Sequence, residues 1–190
     1  MPGKIPRRRR ILIDGIVRAA RSVRGAPPAP LLREYFAGVG EEDLAARSPR
    51  ELAALAALHA ALAARRKPGE TLVRVLPPLL EGGRAARPTS IALVVTDDRP
   101  FLVDSIGLAF ARAGVAVHML IHPVLRHRGR TESWQLHEID AQFDADGRDR
   151  LEASLQAGLA DVQVAVDDWR TMRRRVLAAA QALSEARRGA

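Results

Sequence analysis

The sequence predicts an α+β fold: a small mixed sheet of four strands with helices packed on one face, preceded by a small helical N-terminal segment. Three observations predict it. Apolar residues recur three or four positions apart at the start of the 190-residue chain and again near its end. Between those regions stand short runs rich in Val, Ile and Thr, bounded by Pro and Gly. One run, residues 91–95, is apolar without interruption, as a strand buried on both faces must be.

Taken in order, Ile11, Ile16, Val17, Ala20 and Val23 mark a first helix behind the arginines at 7–10, ended by Gly25 and the prolines at 27, 28 and 30. Leu31, Leu32, Tyr35 and Phe36 form a short amphipathic piece closed by Gly38 and Gly40, and Glu41, Glu42 and Asp43 suit the positive end of a helix. Ser48 followed by Pro49 is a cap and first-turn pair, opening a helix through Leu52, Leu55, Ala56, Leu58, His59 and Leu62 to about residue 66. Residues 71–76 alternate like a strand, and 79–88 read as an exposed loop. After the 91–95 run, Asp97 or Asp98 is expected to cap a helix with Pro100 in its first turn and Gly114 just past its end. Residues 115–126 read as one long strand, with Val115, Val117, Met119 and Ile121 on one face and His118, Leu120, His122 and Val124 on the other. A turn at Gly129 returns the chain through a strand at 133–139. The last helical pattern runs through Leu151, Leu155, Leu159, Val162, Val166 and Trp169 to Leu183, with Gly158 and the pair Asp167 and Asp168 expected to bend or split it. A strand, helix, strand order implies a right-handed parallel crossover. The expected divisions are a helical segment at 1–67, a β-rich core at 68–145 and a helical region at 146–190.

Composition narrows the chemistry. Cysteine is absent, which excludes disulfides, thiolate catalysis and cysteine-ligated metal sites. No apolar run approaches the roughly 20 residues of a membrane helix, and Asp14 and Gly15 break the only stretch that could imitate a secretory signal. A cytoplasmic protein without membrane contact is the expectation. The net charge is +8, but aromatic residues make up only 4% and do not interleave with the arginine clusters, which argues against nucleic-acid binding.

The segment from Thr96 through Asp97, Asp98, Pro100, Phe101, Leu102 and Val103 to Ala113, Gly114 and Val115 resembles the opening β–α–β of ACT domains, ligand-sensing modules with a βαββαβ plan. Amino-acid-binding ACT domains often carry glycine where Phe101 stands. A wider set resembles the N-terminal region of the large bacterial NAD-specific glutamate dehydrogenases over residues 31–177. It comprises Tyr35 and Phe36, then Glu42, Asp43 and Leu44, the stretch 68–75, Thr96 through Ser105, Val117 and His118 with Ile121, His122, Pro123 and Val124, and Glu132, Ser133 and Trp134 through Asp140. The resemblance implies an ACT-like open-faced sandwich serving regulation or assembly. The parent reaction would be oxidative deamination of L-glutamate to 2-oxoglutarate with NAD, performed outside this chain. It further implies downstream dehydrogenase domains or other copies of the chain as partners, and an amino-acid effector. The alternative is a stand-alone ligand- or protein-binding module with no enzymatic parent.

Six residues are candidates for a ligand or interface site: Asp97, Asp98, Phe101, Asp104, His118 and His122. No catalytic, cofactor-binding or metal residue is expected. Ser105 has no base beside it in sequence. His118 and His122 would stand about 13 Å apart along a strand, too far for one metal, and His137 with Glu138 or Asp140 would have to complete any zinc site. Gly82 and Gly83 lack the spacing of a phosphate loop, so no nicotinamide site is expected here, and NAD belongs to the parent reaction alone. Trp134 and Trp169 are expected to be core or interface anchors.

Overall fold

The computed structural model describes residues 6–188 except 79, 82–83, 86–88, 128 and 142. The pair Gly82 and Gly83 therefore lies outside the described residues. Four helices come first: α1 (Arg7–Ala20), α2 (Ala29–Phe36), α3 (Glu41–Ala45) and α4 (Pro49–Arg65). Helix α1 begins inside the arginine run, and its buried stripe is Ile13, Ile16 and Ala20, while Ile11 is exposed. The start of α4 follows its sequence: Ser48 Oγ accepts the Glu51 N–H at 3.0 Å, and Pro49 fills the first position, where no N–H is needed. That cap contributes about 1 kcal/mol.

The strands are β1 (Leu72–Leu76), β2 (Leu80–Glu81), β3 (Arg84–Ala85), β4 (Ser90–Asp97), β5 (Val117–Ile121), β6 (Val124–His127) and β7 (Arg130–Ile139). Helix α5 (Leu102–Arg112) separates β4 from β5, and α6 (Ala145–Arg188) follows β7. The expected loop at 79–88 holds the small antiparallel pair β2 and β3. The main sheet runs β1-β4-β7-β5, with β6 also on β7. It has five strands rather than four, and every adjacent pair is antiparallel. The parallel relation expected across the crossover survives, because β4 and β5 run the same way on either side of β7. The long strand expected at 115–126 is divided at His122 and Pro123, where a proline cannot donate to the ladder. Its register continues nonetheless: Ile121 faces Leu136 and Val124 faces Ser133. A register shift between Val117 and Met119 turns Val117 outward, against the expected alternation.

Alternation in β4 and β7 divides the interior into two cores. Ile91, Leu93, Val95, Trp134 and Leu136 face the N-terminal helices, joining Leu32, Tyr35, Phe36, Leu52 and Leu55. Ala92, Val94 and Ile139 face α5 and α6, joining Ile106, Phe110, Leu151, Leu155 and Leu159. The open-faced sandwich is thus present, and the face it leaves open is filled by α1 to α4. Strand β1 occupies an edge position against β4 that a βαββαβ chain would give to a strand after its second helix.

Two helix expectations need correction. No side chain caps α5, and Pro100 precedes the helix. The residue at its start is Phe101, in the left-handed region at φ 67°, while Asp97 still belongs to β4. Helix α6 is continuous through Gly158, Asp167 and Asp168. One glycine costs only about 1 kcal/mol in a helix interior, and the leucines on either side of Gly158 are held by the sheet and α5. Gly114 ends α5 as expected: at φ 67° its N–H bonds Ala111 O at 3.1 Å, and Val115 N–H bonds Phe110 O at 2.9 Å.

Candidate functional site

Strand β7 carries the polar chemistry of the molecule on both faces. Glu132, Trp134, Leu136 and Glu138 point toward the N-terminal helices; Ser133, Gln135 and His137 point toward α5. All seven are buried. A buried carboxylate needs a cation or several donors. Glu132 receives Arg66 Nη1 at 2.7 Å and Trp134 Nε1 at 3.0 Å. Arg66, just past the end of α4, is itself buried; its Nη2 pairs with Asp97 and its Nε donates to Glu70 O at 2.6 Å. Six residues along β7, Glu138 receives Arg47 through Nε at 2.8 Å and through Nη2, and the Thr89 hydroxyl at 3.1 Å. Arg47 comes from the connection between α3 and α4. Two arginines of the helical segment therefore hold two glutamates at opposite ends of one strand.

Between these pairs, His59 of α4 reaches the sheet. Its Nε2–H donates to Val94 O at 3.1 Å, which leaves Nδ1 to accept the Tyr35 hydroxyl at 2.8 Å. Burial pushes the Tyr35 phenol above its ordinary range and lowers His59 to about 4, against the smaller opposite pull of the bond to Val94. The His59 ring packs 5.0 Å from Trp134.

On the α5 side a hydrogen-bonded line runs along β7. His122 Nε2 meets Ser133 Oγ at 2.9 Å, Gln135 Nε2 donates to the same oxygen at 3.4 Å, and His137 Nε2 donates to Gln135 Oε1 at 3.2 Å. Phe110 of α5 lies edge-on to His137 with centroids 5.0 Å apart. Burial lowers His137 to about 3, assisted by the nearby His122 and His59. Burial also lowers His122, against an opposite pull from Asp98. The line gives hydrogen-bonding order and presents neutral imidazoles.

The six residues expected at a site divide into separate places. Asp97, at the end of β4, is consumed by Arg66. Asp98 is exposed and within electrostatic reach of His122, so the β4–α5 turn and the β5–β6 junction do meet. Phe101, in that turn, projects into solvent at 64% exposure. Asp104 is exposed in the first turn of α5. His118 lies toward the other end of β5, 3.6 Å from Asp140 and on the wall of a 320 Å³ cavity shared with Asp43, Arg47, Thr89 and Glu138. His122, with Leu120 and Pro123, lines a second cavity of 240 Å³ against Tyr35 and Val39. Among the described residues no group of three His, Asp or Glu is placed to hold a metal ion. Trp134 is the core anchor expected of it, and Trp169 is exposed on α6.

Sequence reasoning misses Arg47 and Arg66, and it places His59 on the apolar stripe of its helix without its partners. A signal existed on the other side of each arginine pair: Glu132 and Glu138 share parity with Trp134 and Leu136, so two carboxylates had to enter an apolar face and find cations there.

Comparison with known proteins accords with this arrangement. The family described as glutamate dehydrogenase, ACT1 domain, matches residues 31–176, a span that includes both arginine–glutamate pairs and every strand of the sheet but not α1. The NAD-specific glutamate dehydrogenase of Halomonas elongata is 32% identical over 176 residues, covering 80% of this chain. The chain spans 11% of that relative's length.

Proposed function

Since this chain belongs to the glutamate dehydrogenase ACT1 domain family, we propose that it is a regulatory and assembly module for NAD-dependent oxidation of L-glutamate. On this reading the oxidation to 2-oxoglutarate takes place outside the module, and NAD binds there too. The observation that carries the reading is the family match itself: it spans most of the chain, while the chain spans 11% of a dehydrogenase relative. The geometry supports an assembly role, because Arg47 with Glu138 and Arg66 with Glu132 fasten the helical segment to the sheet. Partners on this reading are dehydrogenase domains and further copies of the module, in the cytoplasm. No helix among the described residues is long and apolar enough to cross a membrane.

An amino-acid effector belongs to the same reading, and the β4–α5 turn is where it would sit. The backbone there already has the left-handed bend that glycine supplies in ligand-binding turns, with the Phe101 side chain directed outward. Two measurements test the proposal. Purified chain with L-glutamate and NAD should give no rise in absorbance at the wavelength of NADH; sustained turnover would overturn the assignment of chemistry to other domains. In a thermal-shift panel of amino acids, a specific rise in Tm supports the effector, since ligand bound to the native state stabilises it. A flat panel removes the effector and leaves assembly alone.

A further inference from the structure

Strand β1 is bonded to β4 on one side and, among the described residues, to no strand on the other. The alternation of an antiparallel ladder turns the backbone groups of Val73 and Val75 toward that free side. Side chains occupy two of those groups. Glu152 of α6 accepts the Val75 N–H at 2.7 Å, and Arg74 Nη1 donates to Val73 O at 3.0 Å. The same Nη1 donates to the other Glu152 oxygen at 2.9 Å. Arg74 is rooted on the α4 face of the sheet, between Leu72 and Leu76. Glu152 comes from α6, whose Leu151 and Leu155 pack under the opposite face. The pair therefore passes around the edge as a strap. Its chemistry copies an incoming strand: the carboxylate stands where a strand carbonyl would accept the Val75 N–H, and the guanidinium stands where a strand amide would donate to Val73 O.

Beside the strap, on the α4 face, lies a cavity of 230 Å³. Leu58, Leu62, Leu76 and Leu93 give it apolar walls, Arg65 and Arg74 give it cationic ones, and no acidic residue lines it. The geometry points to an extended peptide segment of another protein as the occupant of this edge, added to β1 as one more strand and carrying an apolar and an acidic side chain two positions apart. Residues two apart share one face of a strand, so the apolar side chain enters the leucine-walled cavity while the acidic one meets Arg65 or Arg74. The peptide backbone takes the outward groups of Val73 and Val75. Binding has to displace Glu152, which makes that carboxylate a built-in competitor governing how readily the edge opens. The inference concerns a site other than the β4–α5 turn and goes beyond the regulatory reading above. Its failure would leave the glutamate, NAD and thermal-shift tests untouched.

Fluorescence anisotropy with a short capped peptide tests it, the peptide being threonine throughout except for one leucine and one glutamate two positions apart. The expected result is saturable binding to the intact chain that Glu152→Ala tightens roughly tenfold, because a competing charged hydrogen bond is gone. Glu152→Gln keeps an acceptor for the Val75 N–H but loses the charge facing Arg74, and should fall between the two. Ala61→Phe, at an exposed position on the cavity wall, should abolish binding by filling the cavity while the circular-dichroism melt stays that of the parent. Replacing the peptide's glutamate by lysine should abolish binding from the other side. The absence of saturable binding to both the parent and Glu152→Ala, equal binding of the lysine peptide, or binding indifferent to Ala61→Phe each overturns the inference. So does a Glu152→Ala chain that pairs with its own copies in sedimentation and ignores the peptide.

Discussion

The two ends of β7 use the same chemistry with different enclosure. Glu132 and Arg66 are buried together, and the remaining valences are filled by the Trp134 indole, Asp97 and the Glu70 carbonyl. Glu138 and Arg47 are buried as completely, yet they form one wall of the 320 Å³ cavity that His118 and Asp140 share. At the first end further charged side chains stand around the pair, with Asp97 and Arg130 themselves partly exposed. The second end opens on a cavity. The difference teaches that a buried ion pair can be shared among further charges where side chains surround it, and can keep a solvent outlet where a cavity adjoins it.

Breaking each end in turn measures that difference. Arg66→Met leaves Glu132 with the Trp134 indole at 3.0 Å and Arg130 Nε at 3.8 Å and strips Asp97 of its partner, and should cost about 3 kcal/mol in urea unfolding. A cost under about 1 kcal/mol would show that Arg130 replaces Arg66 as the cation for Glu132. The pH dependence is next in size. His59 and His137 are held neutral, at about 4 and about 3, against an ordinary value of 6.5. The unfolded chain binds protons first as pH falls, so their contribution is complete above pH 6.5 and is lost progressively toward pH 4 and 3. At pH 5 each histidine should have cost about 2 kcal/mol. His59→Gln should remove roughly half of the loss between pH 7 and pH 5; an unchanged profile would place the titration elsewhere. Arg47→Met should cost about 2 kcal/mol, less than Arg66→Met, because the cavity hydrates the orphaned Glu138. Equal losses at the two ends would erase the contrast drawn between them. The smallest effect is expected away from both ends. Phe101→Gly relieves a left-handed residue at about 1–2 kcal/mol but loosens the unfolded chain by about 0.5–1 kcal/mol. A net gain near 0.5 kcal/mol is expected in the same unfolding assay, and a loss would reveal packing by an exposed ring.

Much of the fold was legible because local patterns and tertiary demands agree. The unbroken 91–95 run could only be a central strand, and Ser48, Pro49 and Gly114 mark helix ends by backbone chemistry that needs no distant partner. The errors fall where distant partners decide. A helix broken at Gly158 is a fair reading of propensity, but leucines on both sides of that glycine are seated in the lower core. Asp97 looked like a cap because its true partner, Arg66, is 31 residues away and in a different element. The candidate site was less legible for the same reason. Phe101, Asp98 and His122 do gather near one turn, but the residues that organise the interior are arginines, and Arg47 and Arg66 lie just outside the ends of helices, where no periodicity marks which arginine turns inward.

The placement of β1 ahead of the unit it completes has a practical consequence for anyone dividing this polypeptide. A fragment beginning at residue 90 would retain the crossover, the hairpin and both following helices, yet one whole side of its most apolar strand would lose its ladder partner, Val73 against Val94 and Val75 against Ala92. Such a bare template invites pairing with any neighbouring chain. Starting at residue 68 restores the ladder and still strips the cover from Ile91, Leu93, Val95 and Trp134. The shortest soluble piece must therefore keep the helices that come before the sheet.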